Sequence, residues 1–250
     1  MSDDREAARL YKLAADQGNA YGLVNLGIFY EQGRGGLSQN DRVAARLYKL
    51  AADRGNAVGQ VNLGIFYQCG RGGLLPPDHR EAARFYKLAA DQGNASGQVN
   101  LGIFYSAGLG GLPKDEREAA RLYKLAADQG NAGGQADLGI FYEQGLGGLP
   151  KDDREAARFY KLAADQGDAR AQDALYKTQL AAAARGTGTT EGSRSARMVQ
   201  AAGGGSGPGK TTATARGTGT TEGSCCARAP KAAGGAGSGP FHKSRILHQT

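Results

Sequence analysis

The chain has 250 residues, 40% of them apolar and 22% charged, with a net charge of +7. Residues 1–180 carry 22 Lys+Arg and 22 Asp+Glu, so the whole excess lies in residues 181–250, and the pI of 9.3 does not describe a basic folded domain. No run reaches the ~18 apolar residues of a membrane span, and three cysteines (Cys69, Cys225, Cys226) make no disulfide framework, because the adjacent pair is poorly placed to bond internally and Cys69 stands alone.

The opening, MSDDREAARLYK, is charged at once and lacks the apolar core of a signal peptide. Asp3 followed by Glu6 predicts a capping box at the start of a first helix, whose sequence reads REAARLYKLAADQ. The same pair recurs as Asp78/Glu81, Asp115/Glu118 and Asp152/Glu155, and decays to Asn40/Val43 in one copy. On a 3.6-residue wheel Arg5, Arg9, Lys12 and Asp16 form a narrow polar stripe, while Ala7, Ala8, Leu10, Tyr11, Ala14 and Ala15 cover most of the rest. So wide an apolar arc predicts packing on several sides. This is helix B.

Gly18 supplies a left-handed residue to end helix B, and Asn19 caps the next helix. That helix, A, reads AYGLVNLGIFYEQ in its first copy. Gly27, Gly64, Gly102 and Gly139 recur inside it, each at a cost of about 1 kcal/mol relative to Ala. Such a cost predicts a neighbouring backbone too close for a side chain. A GRGG or GLGG loop follows, and one loop, GRGGLLPPDHR, holds an extra residue that should bulge at the surface and leave the stacking intact.

The leucines that open LAAD, at 13, 50, 88, 125 and 162, are spaced by 37, 38, 37 and 37 residues. A fixed period of this size marks a helical solenoid, in which each unit buries its apolar face against its neighbours. Ten helices are expected: a lone B over about residues 3–17, four A/B pairs, and a last helix from Asp168 to about Ala184 that lacks LGIFY and reads as a terminal cap. The chain begins partway through a repeat. From Arg185 onward ARGTGTTEGS and AAGG-rich segments recur, which predicts a disordered, linker-like tail over 185–250 beside a solenoid over 1–184.

The combination A-x-x-x-LG-x-x-Y-x-x-G-x-GG with A-A-x-x-Y-x-x-A-A-x-x-G, in tandem from residue 3 to about 180, resembles the SEL-one-like repeat family, relatives of the tetratricopeptide repeats. The resemblance implies an all-α, right-handed α/α superhelix of about four to five helix pairs, used as a non-enzymatic adaptor or scaffold. Cysteine-rich members of the family, some linked to β-lactam binding, carry a cysteine pair in every repeat. Here Cys69 alone falls within one, which argues against a ligand-binding or hydrolase-like role. The family favours Ala where this chain has Gly22, Gly59, Gly97 and Gly134, which should soften helix A.

No catalytic set, metal site or cofactor is legible. His79, His242 and His248 are not at ligand spacing, and His79 at a helix start should be exposed. Gly204 to Thr211 spells the phosphate-loop pattern GxxxxGKT, but no strand delivers it and TATARGTGT is a poor helix, so it reads as chance in a Gly-rich segment. The basic residues of the tail stand singly with no aromatics between them, which favours a solvated tail over an arm for nucleic acid or anionic membrane. The better lead is helix A. Tyr21, Asn25 and Gln32 share a face, and Asn62, Asn100, Asp137 and Gln144 continue it. If helix A lines the concave side, these residues form a polar ladder suited to an extended peptide, with bonding to the neighbouring repeat as the equal alternative. A protein or peptide partner and a cytoplasmic location are expected, or a secreted or periplasmic one behind an upstream signal segment.

Overall fold

The computed structural model describes residues 2–74 and 76–186, with side chains from Asp3 to Leu180. The expectations for the tail, including its disorder and the Gly204–Thr211 motif, lie outside these residues. Ten α-helices and no strand occur among the described residues: α1 Ser2–Asp16, α2 Ala20–Gln32, α3 Asp41–Asp53, α4 Ala57–Cys69, α5 His79–Asp91, α6 Ala95–Ala107, α7 Glu116–Asp128, α8 Ala132–Gln144, α9 Asp153–Ala164 and α10 Ala169–Gly186. The odd-numbered helices are the B copies and the even-numbered ones the A series. Each helix packs on its neighbours in sequence, and α2, α4, α6 and α8 also touch one another in succession.

Short, well-satisfied caps fold the chain back on itself. Asn19, Asn56, Asn94 and Asn131 each accept from the N–H three residues on, at 2.9 Å. At the other end of the A helices Gly33, Gly70, Gly108 and Gly145 adopt φ of 61–70°, where any other L-residue is strained. The expected capping box is only half made. Asp78 accepts from the N–H groups of Arg80 and Glu81, but Glu81 turns to Arg84 at 2.8 Å, and the Asp78 N–H donates to the Tyr67 carbonyl at 2.9 Å. The returning loop already satisfies the cap amide, so the glutamate is released to an ion pair. In α1 the helix starts at Ser2, which places Asp3 inside the first turn, and Glu6 pairs with Arg9.

The recurrent glycines of LGIFY face a ring, where a backbone was expected. A Cβ built on Gly27, Gly64, Gly102 or Gly139 would lie 2.6–2.7 Å from a ring carbon of Tyr48, Tyr86, Tyr123 or Tyr160. Each of these tyrosines comes from the following B helix and is at most 3% exposed. Tyr48, Tyr86 and Tyr123 then meet Phe66, Phe104 and Phe141 of the next A helix edge to face, at 5.1–5.3 Å between centroids. The close backbone belongs to the other series. A Cβ on Gly22 would sit 2.6 Å from the Ala14 Cβ and 2.9 Å from the Ala15 nitrogen, and Gly59, Gly97 and Gly134 repeat this. These glycines tighten the A helix against its predecessor.

The long second loop rejoins the common register. Asp78 N–H to Tyr67 O, at 2.9 Å, matches Asn40 to Tyr30, Asp115 to Tyr105 and Asp152 to Tyr142. The stacking is unchanged, as the sequence predicts. Helix B is wetter than its wheel suggests. Leu10 is 48% exposed, and the LAAD leucines Leu13, Leu50, Leu88, Leu125 and Leu162 are 39–52% exposed.

Candidate functional site

The polar ladder predicted on the A helices divides. Tyr21, Gln32 and Gln144 face solvent and Asn25 is half-buried. Asn62, Asn100 and Asp137 are buried, at 2–7% exposure, and so present no surface. Asn100 Nδ2 donates to the Ser96 carbonyl of its own helix at 3.0 Å. Asp137 accepts from Arg170 Nη1 of α10 at 2.9 Å, which is the inter-repeat bond weighed as the alternative. Burial works against the Arg170 charge, but Asp137 and Asp168 more than offset it and raise its pKa. His79, expected in solvent, is half-buried with its ring edge-on to Phe104 at 6.0 Å. Cys69 is half-buried at the end of α4, and Cys225 and Cys226 lie outside the described residues.

Two polar networks went unread in the sequence. In the first, Gln92, Gln129 and Gln166 at the ends of B helices donate to the buried Gln60, Gln98 and Gln135 of the preceding A helices at 2.7–2.8 Å. The same side chains also reach the carbonyls of Leu88, Leu125 and Leu162, so one amide closes the helix and pins the pair together. The signal was present as a joint exception: where the A helix has Leu23, the B helix has Arg54.

The second network is built around Arg71. Its guanidinium donates twice to Asp41, at 2.9 and 3.0 Å, and once to Glu31, at 2.9 Å. Its Cζ lies 4.5 Å from the centre of the Phe66 ring. Glu31 also accepts from the Tyr48 hydroxyl at 2.8 Å. Burial, then the Glu31 carboxylate, pushes the Tyr48 pKa far above the ordinary tyrosine value. The loop glycines allow this approach, since a Cβ on Gly72 would meet the Asp41 carbonyl oxygen at 2.6 Å.

Two repeats further along the array the corresponding place is open. A cavity of about 240 Å3 lies among Ser106, Glu116, Tyr123, Asp137, Phe141 and Arg170, with Leu146 at its rim. Among the described residues no group of three or more His, Cys, Asp or Glu is placed to hold a metal ion. No helix among them is long and apolar enough to cross a membrane. The cavity is a small mixed recess whose walls include Ile103, Ile140, Tyr123 and Phe141, and the charges that face it are two carboxylates and one guanidinium.

Stacked helix pairs that bury their apolar faces only against each other define an α-solenoid of the helical-repeat class. The chain belongs to the Sel1 repeat family, whose model matches residues 2–19, 20–56, 57–94, 95–131 and 132–168. It is similar to a Sel1 repeat protein from Oxalobacter formigenes, at 32% identity and a TM-score of 0.62, over 68% of this chain and 66% of that one. It is also similar to c5321, a protective antigen of uropathogenic Escherichia coli strains with an SLR fold, at 33% identity and a TM-score of 0.58, over 67% of this chain and 35% of that one. No curated protein matches the chain. Sel1 repeat proteins are in general non-catalytic scaffolds for protein interaction.

Proposed function

We propose that this chain is a non-enzymatic scaffold that holds a peptide or protein partner along the face formed by α2, α4, α6, α8 and α10. The observation that carries the reading is the direct contact between successive A helices. Like helices that touch lie on the inside of a curved stack, so their free side chains converge on one surface. Tyr21 at 68% exposure, Gln32 and Gln144 are the exposed members of the row expected on that face and support the reading. Of the positions that vary between otherwise uniform copies, Tyr21 is exposed and free to serve recognition, whereas Val58 packs against the core and Gly133 is buried.

The full chain immobilised as bait tests this, at low and high salt. Tyr21→Glu and Gln144→Arg alter the inner row, and Leu88→Asp and Leu125→Asp alter the exposed leucines of the B helices. Loss of a discrete partner with the inner-row variants alone, at either salt, supports the scaffold face. Loss with the leucine variants alone moves the interface to the B helices. Capture that vanishes for every bait at high salt assigns the binding to net charge.

A further inference from the structure

We propose that the cavity between α6, α7 and α8 receives an arginine side chain of the partner. The inference rests on the scaffold reading above and names the chemistry that the partner brings. It comes from comparing two repeats that share one register. Arg71 is 30 residues from Asp41 and 40 from Glu31, and Tyr48 is 17 from Glu31. The same separations from Leu146 lead to Glu116 and Ser106, and from Ser106 to Tyr123. Phe141 stands five residues before Leu146, as Phe66 does before Arg71.

In the earlier repeat the place is filled from within by the Arg71 guanidinium, held by two carboxylates over the Phe66 ring. In the later repeat Leu146 ends where the guanidinium would begin, and Ser106 is shorter than Glu31 by two carbons and a carboxylate oxygen. The missing atoms are the cavity, at about 240 Å3, which is room for several waters or for the head of one long side chain. What survives is the half that recognises a guanidinium. Phe141 lines the recess at the Phe66 position, Glu116 stands at the Asp41 position, and Tyr123 lines the recess beside them. Asp137 adds a carboxylate where Asn62 stands in the earlier repeat.

The charges agree. Glu116, Asp137 and Arg170 face the recess, which leaves one negative charge in excess. Glu116 is paired with Lys114 at 2.9 Å, but that lysine is 65% exposed and such a pair contributes little. An incoming guanidinium can replace it with two parallel hydrogen bonds and a stacked ring, which an ammonium cannot do.

The test is an NMR titration of the full chain with N-acetyl-arginine amide, using the citrulline and lysine analogues as controls. Shifts clustered at Ser106, Glu116 and Phe141, with arginine at least ~tenfold tighter than citrulline, support the proposal. Glu116→Gln should weaken binding by a similar factor. Ser106→Glu combined with Leu146→Arg should rebuild the closed cluster, abolish binding and raise the Tm. Equal response to arginine and citrulline, shifts elsewhere, or a double variant that melts lower overturns the assignment. A natural partner held equally by the wild type and Glu116→Gln also overturns it, while leaving the scaffold reading standing.

Discussion

Gly102→Ala tests whether the tyrosine rings dictate the glycines of LGIFY. Two effects oppose each other. Alanine gains about 1 kcal/mol of helix propensity over glycine. Its Cβ, however, would stand 2.7 Å from Tyr123 Cε1 and 3.0 Å from Cδ1. Contact requires about 3.5–4.0 Å, so the ring must retreat by about 1 Å. Tyr123 is 3% exposed and meets Phe141 at 5.1 Å, which leaves it nowhere easy to go. Overpacking of this kind costs about 1–3 kcal/mol, so the clash wins by up to ~2 kcal/mol. At ~2–4 °C per kcal/mol for a chain of this size, the Tm falls by several degrees, and Gly102→Leu falls further. Urea denaturation followed by far-UV circular dichroism gives the free energies, and the decisive comparison is a double-mutant cycle. In a Tyr123→Ala background the clash is gone, and the same Gly102→Ala change should stabilise by up to ~1 kcal/mol. A loss of equal size in both backgrounds would refute the reasoning.

Gln129→Ala removes the donor to the buried Gln98 Oε1 and should cost about 1–3 kcal/mol. Gln98→Leu with Gln129→Arg, which copies the Leu23/Arg54 pair, should restore most of it in the same urea titration. Asp78→Ala deletes a cap that accepts two N–H groups and should cost about 1 kcal/mol. Glu81→Ala breaks only a largely exposed pair with Arg84 and should cost less than ~0.5 kcal/mol; equal losses at the two positions would reinstate the reciprocal capping box. The folded-state pKa of Tyr48 is raised above that of the unfolded chain, by burial and then by Glu31. Its contribution is therefore complete below about pH 10 and is lost as the pH climbs beyond it. Tyr48→Phe should flatten that alkaline decline in a pH series of melts, and an unchanged slope would place the titration elsewhere.

The array itself was legible because it is written in repeats. Period, caps and the loop glycines all point to the same stack, and the ten helix positions follow from them. The side-chain assignments were harder to read, for a specific reason. A wheel drawn for one helix counts faces but does not say which neighbour fills them. It therefore placed Asn62, Asn100 and Asp137 on an open face, when they are buried between repeats. It also gave no account of the LAAD leucines, which lie in solvent. The glycine of LGIFY signalled a close approach correctly, but only the three-dimensional pairing shows a ring and not a backbone. Covariation between copies within the chain would have found more: Leu23 with Arg54, and Arg71 with Asp41 and Glu31, change together where Leu146, Glu116 and Ser106 replace the latter three.

The same register shows how α10, the last described helix, differs from the A helices before it. Asp168 caps it by accepting the Ala171 N–H at 2.9 Å, as Asn19 accepts that of Gly22, so α10 begins as an A helix. Ala171 is fully buried and Arg170 reaches back to Asp137, so the side that meets α8 and α9 is kept. The other side is not. Tyr176 stands where Gly27, Gly64, Gly102 and Gly139 admit a tyrosine from the next B helix, and Thr178 stands where Phe29, Phe66, Phe104 and Phe141 receive its edge. A further B helix would find its groove already filled by a side chain. Tyr176 is 52% exposed, the condition of a residue with no helix packed over it among the described residues. A terminal repeat in a solenoid must bury one face and tolerate water on the other, and the exchange of glycine for tyrosine at this single register position does both.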